Sequence, residues 1–173
     1  MRAQTAQRSQ KQGKTSFTQD IKIRTNPEQE RRFYEYCRKN IRGRKLCLRE
    51  LGIGIEGAKV LSSILKSNEY FARLDLSKNN VGDSGLNILL NGLRQNSSIV
   101  HINLGSNNLT SDSCIPLFEM LKEHDSIISV VLSNSEGMHR NKIGQKGCRA
   151  IAEAIEQNKV ITLLDVSDNA LGH

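Results

Sequence analysis

A leucine-rich unit recurs along this chain with a period of 28 residues, and that recurrence limits the fold more than any other feature. Leu74, Asp75 and Leu76 lead to Asn79, Gly82 and Gly85, then to Leu89 and Leu93. The next unit repeats the order with Ile102, Asn103, Leu104, Asn107, Leu117 and Leu121. Val130, Val131 and Leu132 open the unit after that, and Leu164, Asp165 and Val166 follow after 34 residues. Upstream, Leu46, Cys47 and Leu48 open the first. A fixed period of this length is the mark of a solenoid, in which each unit buries its apolar face only against its neighbours. Such a chain offers a long surface rather than a closed pocket, so it points to binding rather than to chemistry.

Each unit reads as strand, asparagine turn and helix. Strand side chains alternate, so Leu74 and Leu76 point inward and Asp75 outward. Asn79, Asn107, Asn141 and Asn169 share one column and are expected to turn inward onto backbone groups left open by the bend; Leu51 stands there in the first unit. Gly82, Gly144 and Gly172 mark tight loops. Leu86, Leu89, Leu90 and Leu93 form the apolar stripe of one helix, and Cys114, Leu117, Phe118 and Leu121 that of the next. Asn68, Asn96, His124 and Asn158 close the helices. Before the units, Asn26 and Pro27 open a further helix with Phe33, Tyr36 and Cys37 on one face. It is placed to cover the open end of the first unit.

The pattern resembles the ribonuclease-inhibitor-like class of leucine-rich repeats, which includes Ran GTPase-activating protein and the NOD-like receptors. LDLSKNNVGDSGLNILLNGL at 74–93 and LLDVSDNALG at 163–172 carry the resemblance. It implies an α/β solenoid, a horseshoe with parallel β-strands on the concave face and helices on the convex face. The expected organisation is a disordered basic tail over 1–24, a capping helix and linker over 25–45, and repeats over 46–173, four full and the fifth truncated.

The net charge of +7 is unevenly spread. Residues 1–45 hold 13 Lys and Arg against 4 Asp and Glu, and the repeats are close to neutral. The basic tail is therefore a candidate for weak contact with anions or nucleic acid. Residues Met1 to Asp20 lack the apolar stretch of a secretory signal, and no run is apolar enough to span a membrane. The cysteines Cys37, Cys47, Cys114 and Cys148 show no metal-ligand spacing and read as reduced thiols, which fits a cytoplasmic protein.

Gly52, Gly54 and Gly57 match the dinucleotide-binding fingerprint G-x-G-x-x-G. The repeat accounts for them, since Gly54 shares a column with Gly82, and Gly57 with Gly85 and Gly147. No catalytic residue, cofactor site or metal site is expected. His101 lacks a carboxylate or nucleophile partner at a readable spacing.

The candidate partner-binding residues are the outward strand positions. Asp75, Asn103, Val131 and Asp165 form one column, with Cys47 at its head. Arg73, His101, Ser129 and Leu163 form the next. These columns vary while the inward ones stay apolar, as a surface freed from packing would. Six extra residues between Leu132 and Asn141 add Glu136, His139 and Arg140 on one rim. The expected function is capture of a protein partner on the concave face. The alternatives are regulation of a small GTPase, by the resemblance to Ran GTPase-activating protein, and a ciliary or cytoskeletal scaffold. The fifth strand, without its helix, also makes self-association through an uncapped C-terminus an expectation.

Overall fold

A computed structural model describes residues 27–137 and 139–171. The basic tail over 1–24, the Asn26 cap, Gly172 and His173 lie outside the described residues.

The described residues begin with helix α1, Pro27–Lys39, and a two-stranded turn of β1, Ile41–Arg42, and β2, Lys45–Cys47. Helices and strands then alternate: α2, Gly54–Ser67; β3, Arg73–Asp75; α3, Gly82–Leu93; β4, His101–Asn103; α4, Ser111–Glu123; β5, Ser129–Val131; α5, Gly144–Gln157; β6, Leu163–Asp165. The six strands form one sheet in chain order. From β2 to β6 every pairing is parallel, and the register keeps the sequence columns: Leu46, Leu74, Ile102, Val130 and Leu164 are direct neighbours. The first pairing departs from the expected parallel set. β1 runs antiparallel to β2, with Ile41 opposite Leu46, so part of the expected linker over 25–45 is sheet.

Inward strand residues and one face of each helix make a continuous core. Leu46, Leu76, Leu89, Leu104, Leu117, Leu121 and Val130 are fully buried. Cys37 of α1 is buried with them, and Phe33 packs against the same core. Helices α2 and α3 approach so closely that a Cβ at Gly92 would collide with the carbonyl of Ser62, whose hydroxyl donates to the Ile88 carbonyl at 2.7 Å.

Two ladders of side-chain amides satisfy the backbone where strands and helices end. At the strand turns, Asn79, Asn107 and Asn141 are buried, and each Oδ1 accepts two N–H groups from the preceding turn. Asn107 Oδ1 takes those of Asn79 and Val81 at 3.1 and 3.3 Å, while its Nδ2 donates to the Leu76 and Gly105 carbonyls. A buried turn otherwise strands its polar groups, and the amide has both a donor and an acceptor to meet them. At the helix ends, Asn96 Nδ2 donates to the Leu65 and Asn68 carbonyls, and Asn158 Nδ2 to those of Leu121 and His124. His124 serves in the same column, with Nε2 at 3.1 Å from the Leu93 carbonyl.

Candidate functional site

The outward faces of the strands form two rows. Lys45, Arg73, His101, Ser129 and Leu163 are direct neighbours in one, and Cys47, Asp75, Asn103, Val131 and Asp165 in the other. The register therefore brings together the eight strand candidates expected from the alternation. It joins to them Lys45, which precedes the expected start of the repeats at 46.

The two rows differ in how free they are. Asp75, Asn103 and Asp165 lie outside the packed core but are tied to the turns that follow their strands. Each turns back on the bend two residues on. Asp75 Oδ1 accepts from the N–H and hydroxyl of Ser77 at 3.2 and 2.8 Å. Asn103 Oδ1 accepts from Gly105 N–H at 2.9 Å, and Asp165 Oδ1 from Ser167 N–H and Oγ at 3.1 and 2.6 Å. Short polar side chains compete for local backbone donors in this way wherever a strand gives way to a turn. Asp75 also meets Lys45 Nζ at 3.3 Å. Burial works to raise its carboxyl, but the Ser77 and Lys45 donors outweigh that and hold it below the usual carboxylate range.

The other row carries less structural duty. Arg73 is exposed and forms no ion pair among the described residues. His101 lies beside it, and partial burial together with the Arg73 charge lowers its pKa. Ser129 is buried, and Leu163 is 48% exposed. The row thus changes from cationic to apolar across the sheet.

The insertion residues are elsewhere. The His139 carbonyl accepts from Asn108 N–H at 2.8 Å, and its Nδ1 lies 3.2 Å from Asn108 Nδ2, which donates to Asn80 Oδ1 at 2.6 Å. His139 thus belongs to the line of turns, with Glu136 and Arg140 exposed nearby in sequence. No bond among the described residues joins these three to the strand rows.

A further polar cluster joins two repeats. Asp83, in the first turn of α3, accepts from Thr110 N–H, Thr110 Oγ1 and the Ser113 hydroxyl, so it staples one repeat to the next. Burial works to raise this carboxyl, and the Ser113 and Thr110 donors outweigh it and lower it. A signal for it existed: Thr110 and Ser113 stand where other repeats have the glycines Gly82 and Gly144, and Gly85 and Gly147.

The glycine fingerprint has a structural origin, in left-handed backbone at two positions and close packing at the third. Gly52 and Gly54 adopt φ of +59° and +50°, and a Cβ at Gly57 would press on Ile53 and, at 3.2 Å, on Phe33. Among the described residues no group of three or more His, Cys, Asp or Glu is placed to hold a metal ion, and no helix is long and apolar enough to cross a membrane.

The sheet, its repeat register and its helices are those of solved leucine-rich-repeat domains. The fold is similar to a leiomodin-1 structure described as actin-binding site 2, with a TM-score of 0.63 at 17% identity, covering 80% of this chain and 77% of that one. It is also similar to a tropomodulin C-terminal domain from Caenorhabditis elegans, with a TM-score of 0.58 at 17% identity and 83% of each chain covered. No curated protein matches the chain by sequence. The model of the TMOD/LMOD leucine-rich domain matches residues 44–170, from the edge of β2 to the last asparagine turn, and the chain belongs to that family.

Proposed function

We propose that this chain is a protein-binding module of the actin cytoskeleton that takes its partner on the strand face. In this reading the repeats curve as in the ribonuclease-inhibitor-like class, with the strand rows on the concave side and α1 as the N-terminal cap. The protein works in the cytoplasm, and the basic residues before the repeats add weak anion contact. The observation that carries the reading is the outward row itself. Arg73, His101 and Leu163 are held in one plane by strict strand register, while packing and turn formation fall to other residues. Actin is the partner of choice because the leiomodin-1 structure of similar fold is described as an actin-binding site.

Co-sedimentation of the full chain with filamentous actin, and fluorescence anisotropy with labelled monomeric actin, test this reading. Binding is expected with the wild type, and loss of binding with Val131→Trp, which places a bulky side chain in the middle of the sheet. Ile115→Lys, on the exposed side of α4, serves as the control that retains binding. Absence of binding to either form of actin removes that partner. Binding that survives Val131→Trp removes the strand face.

A further inference from the structure

The row Lys45, Arg73, His101, Ser129, Leu163 has a direction. Its two cations stand on β2 and β3, its neutral and small members on β4 and β5, and its exposed leucine on β6. Lys45 shares its charge with Asp75, and the Arg73 guanidinium has no carboxylate partner among the described residues. An exposed guanidinium beside a histidine, on a sheet floor without competing anions on β4 or β5, is a seat for a carboxylate. At the far end an apolar side chain that is 48% exposed favours an apolar contact. Four strand spacings separate the ends, about 19 Å, which about six residues of extended chain cover.

Resting on the strand-face reading above, we propose that the occupant is an extended acidic segment of a protein lying across the strands, with its carboxylates over Lys45 and Arg73 and an apolar side chain over Leu163. A phosphate polymer fits this row less well. Its charges repeat along its whole length, whereas the cations here stop after β3 and the row ends on leucine. A membrane surface meets the same objection.

The arrangement makes His101 a reporter of occupancy. The charged groups that face it are Arg73 and Asp75 on β3, with Lys45 beyond on β2, and β5 brings only Ser129 and Val131. Partial burial, and after it the Arg73 charge, disfavour the imidazolium in the free protein. A carboxylate seated on Arg73 offsets the Arg73 part and, lying beside the ring, favours the charged imidazole, so the His101 pKa rises. Binding of the segment therefore strengthens as pH falls through the histidine range.

The test is a nuclear magnetic resonance titration of the full chain with capped hexapeptides. The probe has two glutamates at one end, two leucines at the other and Ser-Gly between, and is used in both chain directions. In the control peptide lysines replace the glutamates. One direction of the acidic peptide is expected to shift the Leu163 methyl signals and raise the His101 pKa by about half a unit or more. The lysine peptide does neither. Arg73→Gln weakens the acidic peptide by about fivefold or more, and Leu163→Ser removes the preference for the leucine end. No response of His101 to either acidic peptide overturns the proposal. So does a response confined to oligothymidylate or to phosphatidylserine vesicles, which assigns the row to phosphate. The actin assay separates this failure from that of the underlying reading. Binding lost in Val131→Trp but kept in Arg73→Gln and in Leu163→Ser leaves the strand face standing and removes the acidic segment. Binding kept in all three removes the strand face.

Discussion

The backbone N–H of Asn141 donates to Asn134 Oδ1 at 2.6 Å, in the place that Asn169 Oδ1 holds by the logic of the repeat. At each earlier turn the asparagine of the next repeat accepts from the N–H of the one before, as Asn107 does from Asn79 and Asn141 from Asn107. The insertion before Asn141 carries its own amide into that position. Asn134 also donates to the Asn141 and Asp168 carbonyls at 2.8 and 2.7 Å. Asn169 Oδ1 is left as the buried side-chain polar atom without a partner among the described residues.

The ladder is therefore expected to weaken toward its last rung. Asn107→Ala strands the buried N–H groups of Asn79 and Val81, while the Leu76 and Gly105 carbonyls keep Asn79 Nδ2 and Lys78 N–H as donors, and is expected to cost about 3 kcal/mol, the upper part of the range for unsatisfied buried groups. Asn169→Ala loses only donor bonds, because its Oδ1 holds nothing, and is expected to cost about 1 kcal/mol. Urea midpoints of the two variants give the comparison. Equal costs, or the reverse order, would mean that the last rung is as tight as the others.

Gly92 sets two effects of opposite sign against each other. Alanine in a helix interior is favoured over glycine by about 1 kcal/mol. Here a Cβ would meet the Ser62 backbone, which is not the movable end of a side chain. Overpacking against a fixed neighbour costs about 1–3 kcal/mol, so Gly92→Ala is expected to be net destabilising. Gly92→Ala is compared with Asn91→Ala, an exposed position in the same helix. A stabilised Gly92→Ala protein would show that α2 and α3 separate without penalty.

The Asp83 staple predicts a specific acid response. Its donors hold the folded-state pKa below the unfolded value of about 3.9, so its contribution is fully present above that pH and is lost as pH falls through the folded value. Asp83→Asn removes this proton linkage. The variant is expected to be less stable than wild type at neutral pH and to lose less stability between about pH 4 and pH 2. Thermal melts across that range measure the difference. Parallel curves for the two proteins would mean that Asp83 does not carry the linkage.

The repeat was legible because its inward columns obey one physical demand, burial against the next unit. That demand set the register, the buried asparagines and the helix-closing role of His124. The antiparallel β1 was not legible: Ile41 and Arg42 are too short a run to show an alternation. At the site, alternation placed Arg73, His101, Ser129 and Leu163 together. It could not show that Asp75, Asn103 and Asp165 bend back, since an outward side chain is free either to face solvent or to bond its own turn. The Asp83 cluster was visible only as two missing glycines, and a departure from a column does not name its partner.

The last described repeat is expected to open first. Ile155 is 44% exposed, where Leu121 in the same column of the preceding helix is fully buried. Leu164 and Val166 are half-buried, against almost complete burial of Val130 and Leu132 one strand earlier. Asn169 adds an unsatisfied acceptor at the same end. Local opening follows where apolar contacts are few and backbone bonds are unsupported. Amide exchange is expected to be fastest across 160–171 within the repeats and slowest across 74–121. The same surface favours self-association, so light scattering is expected to show a concentration-dependent mass, reduced by Ile155→Lys. A constant monomeric mass with slow exchange in β6 would show that this end is closed by contacts other than those the repeat pattern supplies.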